Sequence, residues 1–169
     1  MWVFGYGSLM WDNWEQQQAC ISKKIATLSG YQRSFNKPSR RNWGTPQQPG
    51  PTLNLIKAKG KVCRGMAFQF EDERRGELLA YLGQREGRGF EFPELRIRFC
   101  ISSRAVALVP IYRGQDVIAK PPGEIALMAI SANGDSGRCS EYILNIDEKL
   151  RSLSIRDEAV EELAEMIRS

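Results

Sequence analysis

Histidine is absent from all 169 residues. That excludes Ser-His-Asp and Cys-His nucleophilic machinery, together with imidazole metal sites. Proton transfer then falls to a carboxylate, a Tyr, a Lys or a Cys. The four cysteines, Cys20, Cys63, Cys100 and Cys139, form no C-x-x-C pair. Neither a zinc knuckle nor a thioredoxin-like motif is available, and reduced, mostly structural thiols are expected. Long apolar runs are missing as well, and Met1-Trp-Val-Phe has no basic flank or room for a cleavable signal. The sequence therefore predicts no membrane span and a cytoplasmic location. Clustered carboxylates or thiolates suited to a metal are also lacking, the acids of 71–77 reading as a solvated helix face.

Acidic residues are absent between Gln16 and Phe70, where Lys23, Lys24, Arg33, Lys37, Arg40, Arg41, Lys57, Lys59, Lys61 and Arg64 all fall. From Glu141 to Ser169 acids outnumber bases. A basic half of this kind attracts an anionic partner, a small carboxylated substrate or a nucleic acid, or it is a solvated face without a ligand. Arg40, Arg41 and Trp43 offer little aromatic surface for stacking on a single strand, so no nucleic-acid partner is expected. With 42% hydrophobic and 26% charged residues, the length and composition fit one soluble domain over 1–169.

The most informative stretch is Met1-Trp-Val-Phe-Gly-Tyr-Gly-Ser-Leu-Met-Trp11. It reads as a buried strand, Trp2 to Tyr6, breaking into a glycine-flanked turn. A Gly7 at positive φ would let the amides of Gly7, Ser8 and Leu9 converge on one anion. A dinucleotide loop is excluded because Met10 occupies the third glycine position of G-x-G-x-x-G.

Further on, punctuation by proline and glycine predicts a loop over 36–51. Strands are expected over 52–56, 62–70, 95–101 and 105–112, the last interrupted by Pro110, closing into a small curved sheet. A short helix is expected over 123–131. Two helices should end the chain, one capped by Ser140 with the stripe Tyr142, Ile146, Leu150 and Leu153. The other opens on a Ser154-x-x-Asp157 capping box and carries Val160, Leu163 and Ile167.

A helix over about 72–86 matters most for chemistry. Leu79 and Leu82 set its inward stripe, and Glu86 continues that stripe four residues later. Two readings of Glu86 follow. It pairs with Arg85 or Arg88 on a frayed helix end, or it sits partly desolvated beside a pocket, with a raised pKa, as a general base.

Four segments, in order, resemble the ChaC family of γ-glutamylcyclotransferases. They are Trp2 to Trp11, the loop Gly44-Thr-Pro-Gln-Gln-Pro-Gly50 with the following Thr52-Leu-Asn-Leu and Cys63-Arg-Gly-Met-Ala-Phe68, then Tyr81-Leu-Gly-Gln-Arg-Glu86, and Ser136-Gly-Arg-Cys-Ser-Glu-Tyr142. Two positions depart from the family pattern, Trp43 where Arg is usual and Cys139 where Asn is usual. The resemblance implies an α+β fold, a mixed, curved β-barrel flanked by helices, two of them at the C-terminus. It implies cyclisation of a γ-glutamyl group, of glutathione or a close γ-glutamyl peptide, to 5-oxoproline, without metal or other cofactor. Glu86 would be the catalytic base, the Tyr6, Gly7, Ser8 and Leu9 turn would bind the α-carboxylate, and Tyr142 or a backbone amide would face the carbonyl oxygen. The expected partner is a small anionic γ-glutamyl substrate, taken by a monomer or homodimer. Two alternatives remain open: γ-glutamyl amines or amino acids as substrates, and a non-enzymatic basic binding domain.

Overall fold

Trp2–Gly5 forms strand β1, in which Val3, Phe4 and Gly5 are all buried. Burial on both faces explains why this run is apolar without alternation. The computed structural model describes residues 1–169. Two strands of unusual length follow, β2 (Ser22–Ser39) and β3 (Gly50–Gln69), then the short β4 (Phe90–Glu91), β5 (Glu94–Arg98), β6 (Arg104–Leu108) and β7 (Ile111–Tyr112). The order β1-β3-β2-β5-β6 closes into a five-stranded barrel, and β4 with β7 makes a separate two-stranded sheet. Closure comes from a parallel pairing of β1 with β6, Trp2 opposite Ala107 and Val3 opposite Leu108. The β1–β3, β2–β5 and β5–β6 pairings are antiparallel, with Gly5 opposite Met66 and Ile97 opposite Ala105 among them. The fold is the expected α+β barrel with helices.

Packing divides the chain into two compact units, Met1–Gln32 with Lys57–Gly114, and Arg33–Ile56 with Gln115–Ser169. The core of the first is built from Val3, Phe4, Phe68, Phe70, Leu78, Leu82 and Ile97, all essentially inaccessible to solvent. Here β1 and β3 run unusually close. A Cβ on Gly65 would lie 2.3 Å from the Gly5 carbonyl oxygen, and one on Gly5 would meet Leu9 Cβ at 2.9 Å. Only glycine lets the chain leave β1 and fold at once over its own end.

The second unit holds three helices, α3 (Pro122–Ser131), α4 (Cys139–Ser152) and α5 (Glu158–Arg168), packed on one another. Their inward faces carry Ala126, Ala129, Ile143, Ile146, Leu150, Val160 and Leu163. Asp157 caps α5, its carboxylate accepting from the Val160 amide at 3.3 Å while pairing with the buried Arg33 at 2.8 Å.

Several sequence expectations are corrected. The predicted loop shrinks to 40–49, because Arg33, Phe35 and Ser39 alternate inward and carry β2 to Ser39. The two strands expected over 52–56 and 62–70 are one, β3. The strand expected over 105–112 is split, since β6 ends at Leu108 and β7 pairs with β4 instead. The 95–101 strand stops at Arg98. Ser140 lies inside α4, which begins at Cys139 after an uncapped Arg138, and Ser154 sits in a turn at φ 54 while Asp157 does the capping.

Candidate active site

The turn after β1 is a single 3₁₀ turn, Ser8–Met10. Gly7 precedes it at φ −132, so the expected positive φ is not used. The Met10 amide donates to the Gly7 carbonyl at 2.9 Å and the Trp11 amide to the Ser8 carbonyl at 3.2 Å. A turn of this kind leaves its leading amides, those of Ser8 and Leu9, without an intrahelical acceptor. Tyr6 enters the turn through its backbone, because its buried phenol is committed to the Pro110 carbonyl at 2.7 Å. Leu9 is fixed from behind, where Trp14 Nε1 donates to its carbonyl at 2.9 Å. Trp14 begins α1 (Trp14–Gln17) and stacks on Tyr81 at 5.8 Å, with Phe68 and Phe70 within 5.5 Å.

Helix α2 (Arg75–Glu86) follows a short 3₁₀ segment, so the helix expected over 72–86 is present. Its buried stripe is Leu78 and Leu82, one position earlier than Leu79 at its start. Glu86 continues the 78, 82 spacing as the last helical residue. Gly87, at φ +83, ends the helix there in a conformation that a side chain would strain. The Glu86 side chain keeps only 16% of its surface exposed, so the carboxylate is largely withdrawn from water.

One guanidinium links this helix end to the glycine turn. Arg85 Nη2 pairs with Asp12 Oδ2 and lies 3.4 Å from Ser8 Oγ, Nη1 reaches the Tyr81 hydroxyl at 3.5 Å, and Nε stands 3.6 Å from Glu86 Oε1. Burial opposes the charge on Arg85, but Asp12, the hydrogen bonds to Asp12 and Tyr81, and Glu86 outweigh it, and its pKa is raised. Glu86 thus contacts Arg85, as one sequence reading had it, but on an ordered, sheltered helix end and not a frayed one.

A family model described as "ChaC-like protein" matches residues 1–169. The chain belongs to the ChaC-like family. Gamma-glutamylcyclotransferase 2-3 of Arabidopsis thaliana is 32% identical to this ChaC-like protein over 179 residues, covering 99% of this chain and 88% of the relative. The glutathione-specific gamma-glutamylcyclotransferase of Escherichia coli strain K12 is 27% identical, with 96% of this chain and 71% of the relative covered. In fold, a crystal structure of a yeast gamma-glutamyl cyclotransferase specific to glutathione superposes with a TM-score of 0.89 at 20% identity, over 99% of this chain and 95% of the other.

Tyr142 of this ChaC-like protein lies in the second unit, where its hydroxyl accepts from the Leu53 amide at 3.2 Å. Its ring is tilted against Trp43, centroids 5.2 Å apart. The two departures from the family pattern therefore lie close to Tyr142. Trp43 is its ring neighbour, and Cys139, three residues earlier on α4, donates to the Pro51 carbonyl at 3.3 Å.

Burial pushes the Cys139 thiol up to about 12, whereas hydrogen bonds from the Ser102 backbone and side chain and the Ser103 backbone lower that of the exposed Cys100. A thiolate is the reactive form. Native protein treated briefly with iodoacetamide at pH 8 is expected to be labelled first at Cys100 and to leave Cys139 unmodified, as read by peptide mass spectrometry. Early labelling of Cys139 would contradict its packed role.

Sequence reasoning missed Arg85 as a link, Asp12 and Trp14. The adjacency of Arg85 to Glu86 was visible, but adjacent helical residues diverge by 100° and nothing in the spacing showed that Arg85 reaches back to Asp12.

Proposed function

We infer that this protein is a γ-glutamylcyclotransferase acting as one domain over 1–169, cyclising the γ-glutamyl group of glutathione or a close γ-glutamyl peptide to 5-oxoproline. The observation that carries this reading is a sheltered carboxylate, Glu86, sharing one guanidinium with a glycine turn whose leading amides have no acceptor within the turn. The substrate follows that named for the E. coli relative, glutathione. Four thiols without a disulfide suit a reducing compartment, and the cytoplasm is the proposed location.

In a γ-glutamyl amide the α-amine and the γ-carbonyl belong to one molecule. Folding it into a five-membered ring makes the attack intramolecular, an advantage of about 7–11 kcal/mol when well oriented. The amine arrives as ammonium, so it needs a base. The amides of Ser8 and Leu9 receive the α-carboxylate, and Glu86 takes a proton from the ammonium. The freed nitrogen attacks the γ-carbon, forming the ring C–N bond, and negative charge gathers on the carbonyl oxygen. A backbone amide stabilises that charge. Collapse breaks the original amide bond as Glu86 returns the first proton to the departing nitrogen, and the second proton shed by the ring nitrogen passes through Glu86 to the released amine, which leaves as an ammonium. Glutathione would yield 5-oxoproline and cysteinylglycine, with no water consumed and no metal or redox group needed. The basic residues between Gln16 and Phe70 favour approach of a negatively charged substrate.

A second reading changes only the leaving group, to γ-glutamyl amines or amino acids. The Arabidopsis relative is named a gamma-glutamylcyclotransferase, a reaction that admits either leaving group. Incubation in chelator-treated buffer with glutathione, γ-glutamyl amino acids and γ-glutamyl amines, each followed by mass spectrometry for 5-oxoproline, separates the two. Glutathione is expected to be turned over fastest. A blank across the whole panel would leave a basic binding domain as the better reading.

A further inference from the structure

We propose that Arg85 is a positioning residue that fixes the glycine turn against Glu86, with Asp12 as its anchor. This rests on the reading of Glu86 as the base. Arg85 Nη2 holds Asp12 and approaches Ser8 Oγ at 3.4 Å, which ties the first residue of the turn and the segment just after it to one planar group. Nη1 reaches Tyr81 on the preceding turn of α2 at 3.5 Å, so the guanidinium is itself oriented by the helix that carries Glu86. Its Nε–H is buried and has no hydrogen-bond acceptor. A buried donor left without an acceptor has a cost, and here it stands 3.6 Å from Glu86 Oε1.

The forked geometry matters. Arg presents five donors in a rigid plane, whereas the point charge of Lys cannot serve Asp12, Ser8, Tyr81 and Glu86 together. The spacing between the Ser8 and Leu9 amides, which receive the α-carboxylate, and Glu86, which receives the proton of the neighbouring ammonium, is therefore set by Arg85. A displacement of about 1 Å in such a constellation costs on the order of 10²-fold in rate.

The test compares Arg85→Gln, Arg85→Lys, Asp12→Asn and the double variant Asp12→Asn/Arg85→Gln with wild type. It measures kcat and KM for glutathione, thermal melting, and amide exchange of the 6–12 segment by mass spectrometry. Arg85→Gln is expected to lose on the order of 10²-fold in kcat with a smaller change in KM and a near-native melt, a split that loss of folding alone would not produce. Arg85→Lys should recover little. Asp12→Asn should lower kcat less than Arg85→Gln and add little on top of it, because the two act through one contact. Exchange over 6–12 should quicken in every variant. Wild-type kcat in a folded Arg85→Gln protein, or unchanged exchange, would overturn the proposal. If Arg85→Gln does not fold, Asp12→Asn decides on the same two readouts, wild-type values for both overturning it. An inactive wild type would instead remove the functional reading, and the exchange result alone would then decide whether Arg85 holds the turn.

Discussion

Glu86→Gln is expected to lower turnover by about 10²- to 10⁴-fold while leaving the fold in place. The amide keeps the size and shape of the carboxylate and still presents an oxygen toward Arg85 Nε. What it loses is basicity, so the substrate ammonium keeps its proton and has no lone pair to offer. The structural side effects should be small. Arg85 retains Asp12 and Tyr81 as partners, and Gly87 still ends α2. KM should move far less than kcat, because the proposed α-carboxylate contacts are in the Ser8 and Leu9 turn and not on Glu86. Steady-state formation of 5-oxoproline, measured beside circular dichroism of the variant, checks this. A folded Glu86→Gln protein with wild-type turnover would remove Glu86 from the chemistry.

Trp14→Ala is expected to cost about 3–5 kcal/mol of stability, as truncation of a fully buried aromatic does. The ring is 2% exposed and touches Phe68, Phe70 and Tyr81, so the cavity would open between β3, α1 and α2. The same change removes the donor to the Leu9 carbonyl and loosens the turn proposed to receive the substrate. Trp14→Phe separates the two contributions, keeping most of the ring contact and losing one buried hydrogen bond, worth about 1 kcal/mol. Urea unfolding of the three proteins gives the comparison. If Trp14→Ala cost under about 1 kcal/mol, within the range of an ordinary substitution, the ring would not be supporting the turn.

How much of this was legible in the residues depended on how local the signal was. Strand β1 and the turn after it are written in eleven consecutive residues, and Glu86 stands out because a charged group continues an apolar stripe. Both are short-range patterns, and both are found where expected. The first part of β2, from Ser22 to Gln32, was invisible because Lys23, Lys24, Ser29, Gly30 and Gln32 dilute its alternation. Its strand state comes from pairing with β5, where Thr27 faces Arg98 and Leu28 faces Ile97, and pairing partners seventy residues away leave no local trace. Helix caps misled for the opposite reason. Ser140 and Ser154 are good capping residues, but Asp157, also in the proposed box, took the α5 cap because its second oxygen pairs with the buried Arg33. Arg85 is the most consequential omission. Spacing along α2 could suggest only its neighbour Glu86 and Tyr81 one turn earlier, while its contacts to Ser8 and Asp12 cross more than seventy positions.

The most direct test is the fate of the γ-glutamyl carbon when wild-type protein turns over glutathione in ¹⁸O-enriched water. Cyclisation transfers the γ-acyl group to the substrate's own nitrogen, so mass spectrometry should find 5-oxoproline without ¹⁸O, matched by cysteinylglycine. Glutamate carrying ¹⁸O in its carboxylate would show attack by water and a hydrolase, and absence of both products would contradict a γ-glutamyl activity on this substrate.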